Sequence, residues 1–423
     1  TAPTFGEAAT DLSRGLVYDP AELYNATYDP GLRPSPGQVN SPPFWVDPNG
    51  GRPARIMQWN ISLQRELSRN LVVEAAYVGN RGAWFMANSL ININALTPER
   101  LKSFGLDINS PTDQALLRST FTSATARDRG FTIPYAGFPV GQSVAQSLRP
   151  YPQFGNIDVQ YAPLGNTWYD ALQAKLTKRY SHGLDMTASF TWQKELTRGA
   201  ENQSGGGAQV NDVFNREQNK YLSSFSQPFV FVIGANYEVP RFGANRIVRA
   251  ALGGWTVSGI MRYASGLPIR VPAANSNLNN LLFRGTFANR VPGEPLFVKD
   301  LNCGCFDPNR EYVLNPKAWT DPPQGQFGTS AAYYNDYRFA RRPDEQLSLG
   351  RTFRMGERAF FSVRGEFFNV FNRTYLNNPD SNNFAATQVR DQNGNTVSGF
   401  GRIATNTVAQ PPRFGQIVAR FQF

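Results

Sequence analysis

Few side chains of this chain have the chemistry for catalysis or metal binding. The 423 residues include one histidine, His182, and two cysteines, Cys303 and Cys305. His182 stands beside Gly183 in a predicted turn, with no serine or cysteine nucleophile and no carboxylate in evident register. We therefore expect a protein that is not an enzyme and that needs no cofactor.

The two cysteines are separated by one residue in a loop that is rich in Asn, Pro and Gly. Three interpretations are open: a local disulfide, which we favour, two free thiols, or part of a metal site. A metal site would need further soft ligands, and neither another cysteine nor a nearby histidine supplies them. The spacing therefore predicts a loop disulfide between Cys303 and Cys305 and no metal.

Two other segments partly resemble ligand-binding loops. Asp391 to Asn395 begins like a calcium loop but lacks the bidentate glutamate that should follow. Because Asn393-Gly394 is also a common hairpin turn, we predict a turn there. The glycine-rich segment Ser204 to Gly207 lacks the Lys-Ser/Thr of a phosphate loop, so we predict a flexible loop.

The elements that hold these residues are strands with strict alternation. In the first, Met57, Trp59, Ile61 and Leu63 are apolar, and every residue between them is polar. The polar row is Gln58, Asn60, Ser62, Gln64 and Glu66. Five successive polar residues on one face are too hydrophilic for a sandwich interior and suit a surface that faces water. The same alternation predicts a hairpin over 168–193, and we expect Trp168 and Trp192 to lie at one height, as in an interfacial girdle.

Further alternation predicts strands at 71–78, 229–239, 255–267, 347–353, 359–371 and 413–423, or roughly ten to twelve strands in all. The predicted connections are short at one end and long at the other, where 95–165, 268–343 and 372–411 form loops. Within the first loop, Thr97-Pro98-Glu99-Arg100 predicts the start of a short helix.

This organisation is typical of an outer-membrane β-barrel. The predicted fold class is all-β, an antiparallel transmembrane β-barrel segment with short periplasmic turns and long extracellular loops. We divide the chain into residues 1–54, an extended loop with partial strands, and residues 55–423, the C-terminal portion of the barrel. The chain contains no apolar run of about 18 residues, which excludes a transmembrane helix but not transmembrane strands. The predicted location is the cell outer membrane of a Gram-negative bacterium.

The formal net charge of +10 comes mostly from scattered arginines. A nucleic-acid-binding protein would concentrate such charge on one face, so we expect no nucleic-acid partner. Arginines at strand ends and turns suit contact with anionic lipid headgroups and lipopolysaccharide phosphates. An ordinary solvated surface is the alternative interpretation.

The chain ends in a strand whose apolar positions finish at Phe421 and Phe423. A polar residue, a glycine and two alternating hydrophobic residues form the usual assembly signal of outer-membrane barrels. Gln416, Phe421 and Phe423 match that signal, whereas Val418 stands where glycine is usual. We predict that these three residues are recognised by the barrel-assembly machinery.

Several segments together resemble one known family. They are QWNISLQREL (58–67), EAAYVGNRG (74–82), YDALQAKLTKRYSHGLDMTASFTW (169–192), GWTVSGIMRYASGLP (254–268) and EFFNVFNRT (366–374). In order, they resemble the barrel of TonB-dependent outer-membrane receptors, specifically the Oar-like receptors, over most of residues 55–423.

The resemblance implies energised uptake of a large or scarce solute, driven by the TonB complex through a plug domain. Such receptors carry a signal peptide, a TonB box and a plug ahead of a barrel of about 22 strands. None of these is visible here, so the chain is expected to be the C-terminal part of the barrel. The long loops would capture a small-molecule, glycan or peptide ligand that the sequence does not identify.

Two other functions are compatible with the strand pattern. A passive porin would need a barrel complete in itself, with a constriction lined by charged residues. A secreted all-β binding or structural protein would dissolve without detergent, although the polar inner faces of the strands argue against a sandwich.

The expected partial length gives a direct test. Mass spectrometry of an outer-membrane fraction should find peptides that extend well upstream of Thr1, on a protein of roughly twice this mass or more, because a barrel of about 22 strands with a plug needs that length. A native chain that starts near Thr1 would instead favour a self-contained porin or a secreted β-protein.

Overall fold

One large antiparallel sheet dominates the molecule. The computed structural model describes residues 37–42, 45–199, 210–240, 253–276, 278–356, 358–407 and 409–423. Its principal sheet has ten strands, which agrees with the expected range. With strands numbered β1–β18 along the chain, the nine long ones are β2 (Arg55–Ser68), β3 (Leu71–Phe85), β5 (Gly165–Ser181), β6 (Leu184–Arg198), β8 (Phe229–Glu238), β9 (Trp255–Ala264), β14 (Asp344–Met355), β15 (Ala359–Phe368) and β18 (Phe414–Gln422).

Shorter elements lie between the long strands. The short strands are β1 (Trp45–Val46), β4 (Val159–Gln160), β7 (Lys220–Leu222), β10 (Pro268–Arg270), β11 (Asn289–Arg290), β12 (Trp319–Thr320), β13 (Tyr333–Arg338), β16 (Val389–Arg390) and β17 (Thr396–Ser398). The helices are α1 (Pro98–Ser103), α2 (Pro111–Arg118), α3 (Ala124–Asp128), α4 (Val144–Ser147) and α5 (Leu278–Leu282), with 3-10 turns at Asn88–Leu90, Arg216–Asn219 and Pro316–Ala318. Among the residues that the structure describes, no helix has both the length and the hydropathy to span a membrane.

The long strands follow one another in the sheet in chain order, each antiparallel to the next. At one end, three connections are short, residues 69–70, 182–183 and 356–358, and the fourth, 239–254, is intermediate in length. At the other end they are long, and we call these four connections, 86–164, 199–228, 265–343 and 369–413, the loop cap. The predicted alternation of short and long connections is therefore confirmed. Most of 1–54, the segment Ser204 to Gly207 and residues 241–252 lie outside the described residues.

The register gives the sheet two chemically different faces. One row of paired residues runs across six strands as Leu63, Ala75, Ala174, Phe190, Phe231 and Tyr263. The neighbouring row, one residue along, runs across seven strands as Gln64, Glu74, Lys175, Ser189, Val232, Arg262 and Asp344. The apolar face is uncovered: Leu63 is 77% exposed and Ile417 is 82% exposed. Such a face is unstable in water and needs an apolar environment.

A tryptophan covers a glycine on the apolar face near the loop cap. Trp59 pairs directly with Gly79, and a Cβ atom at Gly79 would overlap the Trp59 indole. The absence of a side chain at Gly79 lets the indole lie across the neighbouring strand, and Arg81 stands 5.3 Å from its ring centroid. Aromatic covering of a strand glycine pins the register of the β2–β3 pair.

The β5–β6 hairpin confirms one prediction and corrects another. His182 and Gly183 form its two-residue turn, both with positive φ (53° and 81°), as a tight hairpin turn requires. However, Trp192 pairs with Leu172, while Trp168 pairs with Leu196. The two tryptophans share the apolar face but lie four residues apart along β5, or about 13 Å. The expectation that they lie at one height was therefore wrong, because Trp168 is farther from the turn than Trp192.

The loop cap is folded around two hydrophobic cores. The first joins residues 96–148 to α5, and the second joins Tyr221, residues 269–337, Phe400 and Ile403. The connection 265–343 contributes to both cores and so ties the cap together. The predicted short helix is confirmed as α1, which begins at Pro98 with the Thr97 side chain capping Arg100 N.

The two faces of β5 predict opposite effects of the same substitution. Leu172→Arg places a guanidinium on the apolar face near the middle of the strand, and we expect it to destabilise the protein in lipid bilayers by about 2–4 kcal/mol. Gln173→Arg, the matched control, faces the polar side and should change stability by less than about 0.5 kcal/mol. Urea unfolding in bilayers measures both. Equal effects would contradict the assignment of the faces.

Candidate functional site

The polar face brings together polar side chains of several strands. Gln64 and Lys175 belong to one register row, and Glu66, Asp185 and Gln193 alternate in phase with it. Arg179 lies in the register shift beside the β5–β6 turn. This face carries mostly carboxylate, ammonium, amide and hydroxyl groups, with a few apolar residues such as Val232 among them, and a mainly polar face suits a water-filled lumen.

The last strand contributes to the same wall. Gln416 pairs with Glu366 and donates from Nε2 to its carboxylate at 2.6 Å, while Arg364 lies 2.6 Å from the other carboxylate oxygen. Phe421 and Phe423 lie on the apolar side, and Phe423 is 98% exposed. The structure thus separates the polar and aromatic members of the predicted assembly signal between the two faces. Recognition of Gln416, Phe421 and Phe423 by the assembly machinery stays a prediction.

A buried ion pair fastens the start of the connection 369–413 to the sheet. The Glu345 carboxylate on β14 is fully buried and accepts bonds from Arg373 Nε and Nη2, each at 2.8 Å. Asn369 holds the arginine by accepting from Arg373 N at 2.8 Å and donating to Arg373 O at 2.8 Å. The hydrogen bonds to Glu345 raise the pKa of Arg373 above its ordinary value. Removing either partner would leave the other charge uncompensated.

Buried asparagines join distant parts of the loop cap. Asn211 is 3% exposed, and its Nδ2 donates to Gly328 O at 2.6 Å and to Ser330 O at 3.0 Å. Its Oδ1 accepts from the Thr286 hydroxyl at 2.5 Å and from Phe287 N at 3.0 Å. One amide therefore satisfies four groups of the neighbouring connection, 265–343. Sequence reasoning missed Asn211, because an asparagine in a polar segment carries no periodicity that marks it as buried.

Asn94 has the same role in the first connection. It is fully buried and donates from Nδ2 to the carbonyls of Phe154 and Gly155, at 3.1 and 2.8 Å, and also to Tyr151 O. Arg149, 2% exposed, donates from Nε to Asn94 O at 2.9 Å. The segment 149–156 has no regular secondary structure, and these bonds hold it in place.

The structure joins Cys303 to Cys305 by a disulfide, with their Cα atoms 5.2 Å apart. Beside this loop, residues 297–302 and β13 line a cavity of about 640 Å³. A second cavity, of about 540 Å³, lies between the end of α2, residues flanking α4, and α5. Both are within the size range of small-molecule sites, and both belong to the loop cap.

The Asp391 segment is a hairpin turn between β16 and β17, as predicted. The Asp391 carboxylate accepts from Asn393 N at 2.9 Å and from Asn395 N at 2.8 Å, and Gly394 has φ of 81°. These hydrogen bonds, led by that from Asn395, lower the pKa of Asp391. Across the described ranges, no group of three or more His, Cys, Asp or Glu residues is placed to hold a metal ion.

The chain was compared with known families and structures. A family model described as outer membrane beta barrel domain matches residues 3–416. A comparison with curated protein sequences finds no match. Among solved structures, the outer membrane transporter YddB from Escherichia coli is similar at 10% identity and a TM-score of 0.36, covering 91% of this chain and 35% of that one.

Two further similar structures contain bound partners. One is the FpvAI–pyocin S2 complex, at 11% identity and a TM-score of 0.33, covering 89% of this chain and 29% of that one. The other is P. aeruginosa FpvA bound to heterologous pyoverdines, at 11% identity and a TM-score of 0.32, covering 92% of this chain and 29% of that one. The chain spans about a third of the length of these structures.

Asn211 offers a test of how the cap is held. We expect Asn211→Ala to destabilise the cap by about 1–3 kcal/mol, because it leaves buried groups of residues 286–330 without partners. Hydrogen exchange should rise at Phe287 and Gly328 and stay unchanged in the long strands. Asn215→Ala, at an exposed position whose side chain caps nothing, is the matched control. Exchange that rises equally in both variants would refute the anchoring role.

Proposed function

The chain belongs to the outer membrane beta barrel domain family, and from this premise we propose that it forms part of a receptor wall that captures a large or scarce solute and passes it across the outer membrane. The apolar face is then the lipid-facing belt and the polar face lines the lumen. The short connections are periplasmic turns, and the loop cap lies outside the cell. The family match places the protein in the outer membrane, so the secreted alternative was wrong.

The observation that carries this proposal is the packing of the loop cap. Its four connections share two hydrophobic cores and buried amide anchors, which gives the external end a fixed shape with two cavities. A preformed concave surface binds a ligand with less loss of conformational freedom than mobile loops do. A capture role explains why so much of the chain lies outside the membrane.

Energised transport is supported by the segments that resemble TonB-dependent, Oar-like receptors. In such a receptor a plug would fill the lumen and contact the polar face, and the TonB complex would act through that plug. The chain's own contribution would be the wall and the capture surface. We propose no bond chemistry, and the solute would be a small molecule, glycan or peptide.

Contact with the outer leaflet is part of the same proposal. Near the cap end of β2 and β3, the guanidinium groups of Arg52 and Arg55 lie 3.3 and 4.5 Å from the Trp84 ring centroid. An indole at the interface with cations stacked on it suits the boundary between acyl chains and the phosphates of lipopolysaccharide.

A passive porin is the second candidate, and conductance separates the two. In planar bilayers, the native protein should show no steady ion conductance, because a plug would fill the lumen. A general porin in the same bilayer is the positive control. A steady open conductance of the native protein would overturn energised uptake and favour the porin.

A further inference from the structure

The cavity between the end of α2 and α5 has an unusual charge distribution. Its lining includes Arg118 at the end of α2, Arg149, and the amides of Gln142, Asn156 and Asn279. Among the described residues that line it there is no aspartate or glutamate. The cavity is therefore positive and rich in hydrogen-bonding groups.

Arg149 provides a buried cation at the base of this cavity. Besides its bond to Asn94 O, it donates from Nη1 to Gln146 Oε1 at 3.3 Å and from Nη2 to Asn156 Oδ1 at 2.5 Å. All of its partners are neutral, and within the described structure it makes no ion pair with a carboxylate. A buried guanidinium without a counter-ion is electrostatically costly, and an anion in the cavity would compensate it.

Two further arginines add to this positive potential. Burial and, to a smaller extent, the nearby charge of Arg284 lower the pKa of Arg149 to about 10, so Arg149 is still a cation at neutral pH. Arg284 is 3.4 Å from Asp158, but its Nε is buried without a hydrogen-bond partner in the described part of the chain. Arg118 is exposed and makes no ion pair with any described residue. Arg118 and Arg149 therefore line the cavity as cations, and Arg284 adds a third positive charge near Arg149.

The remaining lining suits hydroxyl groups. The exposed amide of Asn279 and the half-buried amide of Gln142 present both donors and acceptors toward the cavity. Phe283 also lines the cavity, and the Arg149 guanidinium lies 4.3 Å from its ring centroid. Amides beside a flat ring bind polyhydroxylated molecules, while arginine binds carboxylate or phosphate oxygens.

We propose that this cavity binds an oxyanion carried on a polyhydroxylated ligand, such as an acidic saccharide, with Arg118 as the direct contact and Arg149 as the buried source of positive potential. The site deepens the proposed capture function and rests on it. A carboxylate on a uronic acid and a phosphate on a sugar present the same chemistry to Arg118, and the test includes both.

The test measures binding to the detergent-extracted native protein by isothermal titration calorimetry. The probes are trigalacturonate, glucose 6-phosphate and the neutral maltotriose. We expect at least one of the two anionic probes to bind at least about tenfold more tightly than maltotriose, and more weakly as salt is raised. Which anionic probe binds better identifies the source of the oxyanion.

Two variants localise the site without disturbing buried contacts. Arg118→Gln removes the exposed cation, and Asn280→Asp adds a negative charge at an exposed lining position of α5. Each should weaken binding of the anionic probe at least about tenfold. Arg127→Gln, the matched control, removes an exposed arginine of the same connection that does not line the cavity.

The outcomes separate this proposal from the proposed function. Loss in Arg118→Gln and Asn280→Asp, with Arg127→Gln within about twofold of wild type, supports the site. Equal binding of maltotriose and the anionic probes, no binding of any probe, or equal loss in all three variants overturns it. The bilayer measurement of conductance does not depend on this cavity, so it can fail or succeed independently.

Discussion

The structure depends above all on the pairing of strand backbone groups. In hydrocarbon, an unpaired N–H or C=O group costs several kcal/mol, so a spanning segment must satisfy all of them within the protein. The uninterrupted antiparallel order from β2 to β18 gives every interior long strand a partner on each side. The edge strands β2 and β18 pair on one side in the described structure, and every residue of both is exposed. In a membrane their free edges must pair as well, with each other or with further strands.

Once the strands are paired, side-chain chemistry decides which face of the sheet meets lipid and which meets water. Two adjacent register rows are one residue apart along each strand, yet one is mainly apolar and the other mainly polar, as the rows through Leu63 and Gln64 show. A shift of one residue in any pair would bring carboxylates and ammonium groups into lipid. The Trp59–Gly79 contact and the two-residue turn at His182 and Gly183 fix the register locally, and so they protect the separation of the two faces.

The long strands could be predicted from the sequence because the alternation of apolar and polar residues that marks a strand is local. Alternation over 57–66 or 184–193 is visible within a single strand, and the hairpin turns carry their own residue types. Register is less visible, since Trp168 and Trp192 could be compared only by counting from the turn. The packing of the cap was beyond this reasoning: Asn211 bonds residues more than 100 positions away, and nothing in its neighbours indicates burial. The same holds for Arg149, whose importance comes from having only neutral hydrogen-bond partners among the described residues.

The cap and the wall solve different physical problems with different residues. The wall uses periodic apolar and polar side chains, whereas the cap uses small hydrophobic cores and buried amides that satisfy irregular backbone. The residues that hold the cap, such as Asn94 and Asn211, are buried, while Arg118 and Asn279 of the cavity are exposed. Exposed lining residues can therefore change without loss of the anchors beneath them. This separation lets one barrel framework present different binding chemistry to the outside, because specificity and folding depend on different side chains.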